Sequence, residues 1–327
     1  NFMAHTFTLT CALFAVVAVT WSRKTGKAVW GWLGGFAVGM VSLIRPLEGI
    51  IMAGLLGLWA IGIGGRRLRV FAIVGLVMGS IIVGSIVLPY NKLLTGDSTK
   101  FPVMAYFDKY YGANTNALGF GPDRGYSHLG WSHDPFPGHG SKDVLVNANL
   151  NTFMVNIELF GWSTGSLILI AVMLFSGVMQ KKDYLMLSII VTVIGVHSLY
   201  WFCGGPDFGA RYWYLIIVPC VILTVRGMQR LSEMLGTISH KDTRVLVGVL
   251  SLCILAIINF FPWRAIDKYH HYRGMRPDIR HLAKEHNFGK SLVLVRENRE
   301  PAYVNASIYN PIDLSSNATV YAWDRNP

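Results

Sequence analysis

The sequence predicts an all-α polytopic membrane protein of about eight transmembrane helices, with a long external loop and a small α/β external tail. Three observations predict it. Hydrophobic residues make up 52% of the chain against only 14% charged, and the mean hydropathy is +0.41, too apolar for an ordinary soluble domain. Eight apolar stretches approach the roughly 20 residues that a crossing helix needs. Basic clusters occupy every second connection between them, as they do where short cytoplasmic loops hold a topology in place.

The eight stretches are Met3–Trp21, Ala28–Ile44, Gly49–Gly64, Val70–Tyr90, Leu159–Val178, Tyr184–Cys203, Tyr212–Val225 and Val245–Trp263. The second, third and seventh are short and must borrow flanking residues. The basic connections carry Arg23, Lys24 and Lys27, then Arg66, Arg67 and Arg69, then Lys181 and Lys182, then Arg226, Arg230, Lys241 and Arg244. With all four inside, the polar segments 91–158 and 264–327 both lie outside. The expected organisation is a transmembrane helical domain over 1–263 and a small external segment over 264–327. Gly31, Gly34, Gly35 and Gly39 in the second stretch provide small surfaces on which helices approach closely.

The chain starts at Asn1, with no basic n-region or cleavage site. The topology expects Asn1 outside, which an odd number of preceding spans explains. The sequence therefore reads as the C-terminal part of a larger protein.

Arg45-Pro46-Leu47-Glu48 joins two stretches in a very tight external turn. Pro46 ends one helix, and Glu48 is electrostatically favoured near the start of the next. Arg45 at headgroup level reads either as an interfacial arginine beside a cap or as an anion site. Arg211, running into Tyr212-Trp213-Tyr214, stands on the same face within an aromatic belt. It is placed to meet a lipid-linked phosphate, or to snorkel without function. Asp207 shares that short loop. His5 and His197 are ionisable groups inside apolar stretches, and such groups call for a functional hypothesis. For His197 a neutral histidine bonded to a neighbouring helix is the competing reading.

The external loop is rich in aromatic, Gly and His residues, as functional long loops are. Gly119-Phe120-Gly121-Pro122-Asp123-Arg124-Gly125 follows no strand and opens no helix, so it is not a dinucleotide fingerprint. It reads as backbone that holds a sugar or phosphate, or as a turn with a local Asp123–Arg124 ion pair. His128, His133, Asp134 and His139 lack the spacing of a helical metal pair. Hydrogen-bonding structure, contact with a polar substrate and a divalent metal gathered by the loop all stay open. Residues 143–158 fit an amphipathic helix lying at the interface. In the tail, Pro277–Lys284 reads as a short helix and Ser291–Val295 as a strand.

The net charge of +11 does not point to nucleic acid, because no basic stripe is interleaved with exposed aromatics. Membrane lipids account for much of it, since anionic headgroups attract basic inside loops. Cys11, Cys203, Cys220 and Cys253 are single and widely spaced, which reads as small buried hydrophobes. No cofactor is legible.

In order along the chain, Met3-Ala4-His5-Thr6, Trp32-Leu33-Gly34-Gly35-Phe36-Ala37-Val38-Gly39, Ile44-Arg45-Pro46-Leu47-Glu48, Gly119–Gly125, His133-Asp134-Pro135, Leu159-Phe160-Gly161-Trp162 and Gly209-Ala210-Arg211-Tyr212-Trp213-Tyr214 resemble bacterial GT-C glycosyltransferases. The similarity is to members like family 39, the protein mannosyltransferase group, over roughly residues 1–230. The resemblance implies transfer of a sugar from a polyprenyl-phosphate donor to a glycan, lipid or protein acceptor on the external face of a bacterial cell membrane. It implies an external carboxylate as general base, normally after the first span of a complete chain, and therefore expected upstream of Asn1. Within this chain Asp123 and Asp134 are the candidates for acid/base work. Arg45, Glu48, Arg211 and Tyr212 would hold the donor phosphate, with His5, Arg124, His133 and Asp207 facing substrate. A non-enzymatic transporter or flippase of lipid-linked saccharides, and an accessory membrane subunit, are the alternatives.

Overall fold

The structure is a computed structural model that describes residues 2–125, 138–205, 209–236, 241–271, 278–296 and 306–324. In chain order its helices are α1 (Phe2–Thr25), α2 (Val29–Ile44), α3 (Pro46–Ala60), α4 (Val70–Gly84), α5 (Val87–Thr95), α6 (Pro102–Tyr110), α7 (Ser141–Glu158), α8 (Ile168–Phe175), α9 (Lys181–His197), α10 (Ile217–Met234), α11 (Lys241–Leu255) and α12 (Ile279–Glu285). A 3-10 turn, Arg211–Ile216, leads into α10. The chain divides into two compact units, 1–253 and 254–327.

Four helical runs are long and apolar enough to cross a membrane: Ala4–Thr25, Val70–Thr95 through α4 and α5, Arg211–Met234, and Thr243–Lys268. Eight full-length spans are not what the described residues form. α2 and α3 have 16 and 15 residues. The fifth expected span, Leu159–Val178, contains only the eight-residue α8, because Gly161 and Gly165 take left-handed φ values of 66° and 88° and turn the chain before a helix can start. The sixth starts earlier than expected. Asp183 accepts a hydrogen bond from the Gln180 backbone N–H at 2.8 Å and fixes the start of α9 at Lys181.

The α2–α3 junction follows from one sequence fact. A residue before proline is driven out of the helical region, and Arg45 sits at φ −141°, ψ 87°. Its N–H closes the last bond of α2 to Val41 O at 2.8 Å, and its carbonyl accepts the first bond of α3 from Gly49 N–H at 2.9 Å. One residue therefore ends one helix and begins the next. Pro46, which has no N–H to satisfy, takes the first helical position of α3.

α2 packs chiefly on α4 and α1. A Cβ on Gly31 or Gly35 would overlap the backbone oxygens of Ala72 and Leu76 on α4. In return, Gly75 of α4 lies under the Trp32 ring, where a Cβ would stand 2.7 Å from Cδ1. Gly34 lies between Leu76 of α4 and Val19 and Ala15 of α1. Small residues here let backbones touch.

The basic connections gather away from Arg45. Arg23 donates to Trp59 O and lies 4.1 Å over the Trp59 ring. Arg23 also packs on Gly65, and Arg69 packs on Gly26. Loops 22–28 and 59–69 thus interlock at the C-terminal end of α1, about 27 Å along the helix from His5 at 1.5 Å per residue. At the N-terminal end of α9, Arg226 of α10 meets Asp183 at 3.1 Å. Burial opposes ionisation of Asp183. The Gln180 N–H and the Arg226 guanidinium outweigh it and hold the carboxyl below its usual range.

α7 covers the stretch read as an interfacial amphipathic helix, yet it turns polar side chains inward. Asp143 and Asn151 are buried, whereas Leu145 and Phe153 are exposed. Asn147 Nδ2 donates to Trp201 O at 2.8 Å. In the second unit, β1 (Leu292–Arg296) and β2 (Val320–Asp324) form a parallel pair with Leu292 opposite Val320 and Arg296 opposite Asp324. An Arg296–Asp324 ion pair at 2.8 Å closes its end.

Candidate functional site

The N-terminal end of α1, the start of α3, the C-terminal end of α9 and the Arg211–Ile216 turn bring together residues far apart in sequence. At the centre is Arg45. Its Nε pairs with Glu48 Oε1, and its Nη1 meets His5 Nε2. A guanidinium can only donate, so His5 Nε2 accepts and its proton resides on Nδ1. The Arg45 guanidinium also lies 5.3 Å from the centre of the Tyr212 ring.

Arg211 reaches the same ring, its guanidinium 5.5 Å from the Tyr212 centroid and 5.9 Å from that of Phe202. Two arginines from separate helical hairpins therefore converge on one tyrosine, an arrangement that the quadrupole of the ring favours. Tyr214, two residues on, meets the His5 ring edge-on at 5.7 Å.

His197 completes the cluster from α9. Its ring stacks with Tyr212, centroids 6.1 Å apart and planes 17° apart. Its Nδ1 is 2.9 Å from Val193 O, and because a carbonyl only accepts, Nδ1 carries the proton. Nε2 then faces Glu48 Oε1 at 3.7 Å. Glu48 and His197 are 5% and 8% exposed, so this is a buried polar network, where every partner matters.

The segment following His197 is a dock for residues 116–119 and His139 of the long loop. Asn116 Oδ1 accepts from Tyr200 Oη at 2.7 Å and from Trp201 Nε1 at 3.1 Å. Gly119 N–H donates to Leu199 O at 2.7 Å, and the His139 ring to Ser198 O at 3.0 Å. Tyr200 in turn meets Tyr212 edge-on at 5.7 Å. The loop is thus tied to the same short stretch of chain that presents His197.

Of the residues singled out in the sequence, Arg45, Glu48, Arg211, Tyr212 and His5 come together. Asp123 does not join them. Its carboxylate pairs with Arg124 at 2.8 Å, and Arg124 also donates to Asn114 O at 3.2 Å. This is the local ion pair of a glycine-rich turn. Asp134, His133, His128 and Asp207 lie outside the described residues. Among the described residues, no group of three or more His, Cys, Asp or Glu side chains is placed to hold a metal ion. Sequence reasoning did not find Asn116, Tyr200 or Trp201 as docking residues. The aromatic run Tyr200-Trp201-Phe202 ahead of the Arg211 belt was the available signal.

The arrangement offers two cationic forks beside an aromatic surface, a carboxylate that orients one of them, and two histidines that each carry the proton on Nδ1. Such a set suits an anion of phosphate type. No protein-family model, no curated protein and no solved structure matches this chain.

Proposed function

We propose that the chain belongs to a membrane glycosyltransferase of GT-C type. It moves a sugar from a polyprenyl-phosphate donor to a glycan, lipid or protein acceptor on the external face of a bacterial cell membrane. The observation that carries this reading is the convergence of Arg45 and Arg211 on Tyr212.

When a glycosyl phosphate bond breaks, negative charge grows on the departing phosphate. Fixed guanidinium donors stabilise that charge without titrating. Glu48 orients Arg45, Tyr212 holds both forks, and His5 steadies the second face of Arg45. Asp123, paired with Arg124 on the loop docked to residues 198–201, takes no part in this phosphate site. The interlocked basic loops at the far end of α1 lie inside, against anionic lipid. The Arg45 end lies outside.

One observation favours the transporter alternative: a helical hairpin broken at Arg45, with buried Glu48 and His197 beside the break, is the kind of discontinuity that transporters use.

The test is reconstitution of the intact protein in liposomes with a polyprenyl-phosphate sugar and acceptor-containing extract. Arg45→Ala and Arg211→Ala should each lower kcat/KM by about 10²-fold or more, with folding checked by thermal unfolding. Undiminished turnover in both variants overturns the phosphate site. Donor translocation without sugar release supports the transporter.

A further inference from the structure

We infer that Phe120, Asp123 and Arg124 form a saccharide subsite on the long loop, the Phe120 ring serving as platform and the Asp123–Arg124 pair as polar edge, which holds a sugar of the acceptor. The inference rests on the transferase reading given above and narrows its acceptor to a glycan.

Phe120 is 57% exposed, yet its place is fixed from both sides. Ahead of it, Gly119 N–H donates to Leu199 O at 2.7 Å; behind it, Gly121 and His139 exchange both backbone hydrogen bonds, at 3.1 and 2.8 Å. The phenyl ring lies against the His139 imidazole, centroids 5.3 Å apart and planes 26° apart. His139 is buried, and its Nε2 donates to Ser198 O at 3.0 Å. One face of Phe120 is thus backed by an anchored ring, and the rest is open to a ligand. A surface held in place beforehand costs little to order on binding.

Gly121 lets the polar groups reach the side of this platform. A Cβ there would stand 2.8 Å from Asp123 Oδ1 and 3.7 Å from Arg124 Cζ, so the carboxylate and the guanidinium fill the space that a side chain next to Phe120 would need. Asp123 Oδ1 pairs with Arg124 Nη1 at 2.8 Å, and Nη1 also donates to Asn114 O at 3.2 Å. Asp123 Oδ2 and Arg124 Nη2 make no hydrogen bond among the described residues. The Asp123 side chain is half-exposed. One acceptor and one donor therefore stand ready beside the ring.

A pyranose matches this set. Its face of C–H groups rests on the electron-rich face of an aromatic ring, and its neighbouring hydroxyls, each both donor and acceptor, bond a carboxylate and a guanidinium together. The Asp123–Arg124 pair is neutral as a whole and exerts no net pull on a phosphate, unlike Arg45 with Arg211. An exposed phenyl ring also serves as a bilayer anchor, but a half-exposed carboxylate beside it is repelled by anionic headgroups. The loop that carries the subsite docks on residues 198–201 through Asn116 and Gly119, and Tyr200 of that stretch meets Tyr212. A glycan on Phe120 is thus held by the same scaffold as the phosphate site without occupying it, as an acceptor requires.

The test is binding of the intact protein, in nanodiscs of neutral lipid, to an array of oligosaccharides spanning hexoses, hexosamines, deoxyhexoses and pentoses. Wild type should retain a defined class of glycan. Phe120→Ala should weaken that binding by about three- to tenfold, and Phe120→Leu, apolar but without a ring, should weaken it as much. Phe120→Tyr should keep it. Asp123→Asn should cost about tenfold. A wild type that retains no glycan overturns the subsite, and so does wild-type binding by Phe120→Leu or by Asp123→Asn. Polyprenyl monophosphate added to the bound complex should leave the glycan in place; displacement would assign the saccharide to the donor and overturn the acceptor placement. Arg45→Ala should still bind glycan while losing turnover. Undiminished turnover in Arg45→Ala and Arg211→Ala, with glycan binding intact, would instead remove the phosphate reading alone. Unfolding temperatures of all variants exclude loss of fold as the cause.

Discussion

Glu48 of α3 and His197 of α9 face each other at 3.7 Å across a helix boundary, both almost fully enclosed. This polar pair links the start of α3 to the end of α9, beside the apolar core that both helices share. Removing one member of a buried charged network costs about 3–5 kcal/mol. Glu48→Ala should therefore destabilise strongly, and Glu48→Gln less, because the amide keeps an acceptor for Arg45. Unfolding in detergent followed by circular dichroism checks this. Equal stability of Glu48→Ala and wild type would dissolve the network as a structural element.

The α2–α4 contact makes a sharper steric prediction. Gly35→Val places branched carbon against Leu76 O and should cost at least about 1–3 kcal/mol, the range for overpacking. Gly54 and Gly57 of α3 have nothing within 4 Å of an added Cβ. Gly54→Ala and Gly57→Ala should be neutral or slightly stabilising, since alanine loses less backbone freedom. Thermal unfolding of the three variants side by side decides the matter.

Asp183 lies before the apolar run of α9, and its carboxyl titrates below the ordinary aspartate value of 3.8. A depressed folded-state pKa contributes stability that is complete above the unfolded value and is lost as pH falls through the folded one. The stability gap between wild type and Asp183→Asn should thus be constant from about pH 7 down to 5, then shrink below 3.8. Unfolding of both proteins at several pH values measures the gap. A gap that widens on acidification would contradict the Arg226 and Gln180 contacts.

Orientation can be read with single cysteines after replacement of Cys11, Cys203, Cys220 and Cys253. Leu118→Cys on the docked loop should react with an impermeant maleimide in intact cells. Lys24→Cys, in the basic interlock, should react only after permeabilisation. The reverse pattern would invert the proposed sidedness.

Some of this molecule was legible in one dimension. Arg45-Pro46 specifies a helix break through local sterics alone, and Glu48 follows as the acid of a first helical turn. The glycines of α2 announced close packing. The grouping of Arg45, Glu48, Arg211, Tyr212 and His5 came from the resemblance, whereas the joining of His197 to them was not legible. It depends on which ends of α1, α3 and α9 meet, and each contributes one residue with no periodic signature. Fewer full-length helices form than the apolar windows predict, because such a window does not register the turns at Gly161 and Gly165 or the break at Arg45. α7 reads in sequence by its apolar residues, whereas the Asn147 and Asn156 side chains bond inward, to Trp201 O and from the Leu167 N–H.

The stubs on either side of Arg45 reach only about 22–24 Å each at 1.5 Å per residue, several ångströms less than an undisturbed hydrocarbon layer of about 30 Å. With α2 and α3 in a bilayer in the proposed orientation, an inward pucker of the leaflet, or water in a dimple above the junction, would meet them. Either deformation would bring the headgroup plane down to the arginine. Activity in the proposed orientation should then depend on acyl-chain length, thick membranes straining the depression and thin ones relieving it.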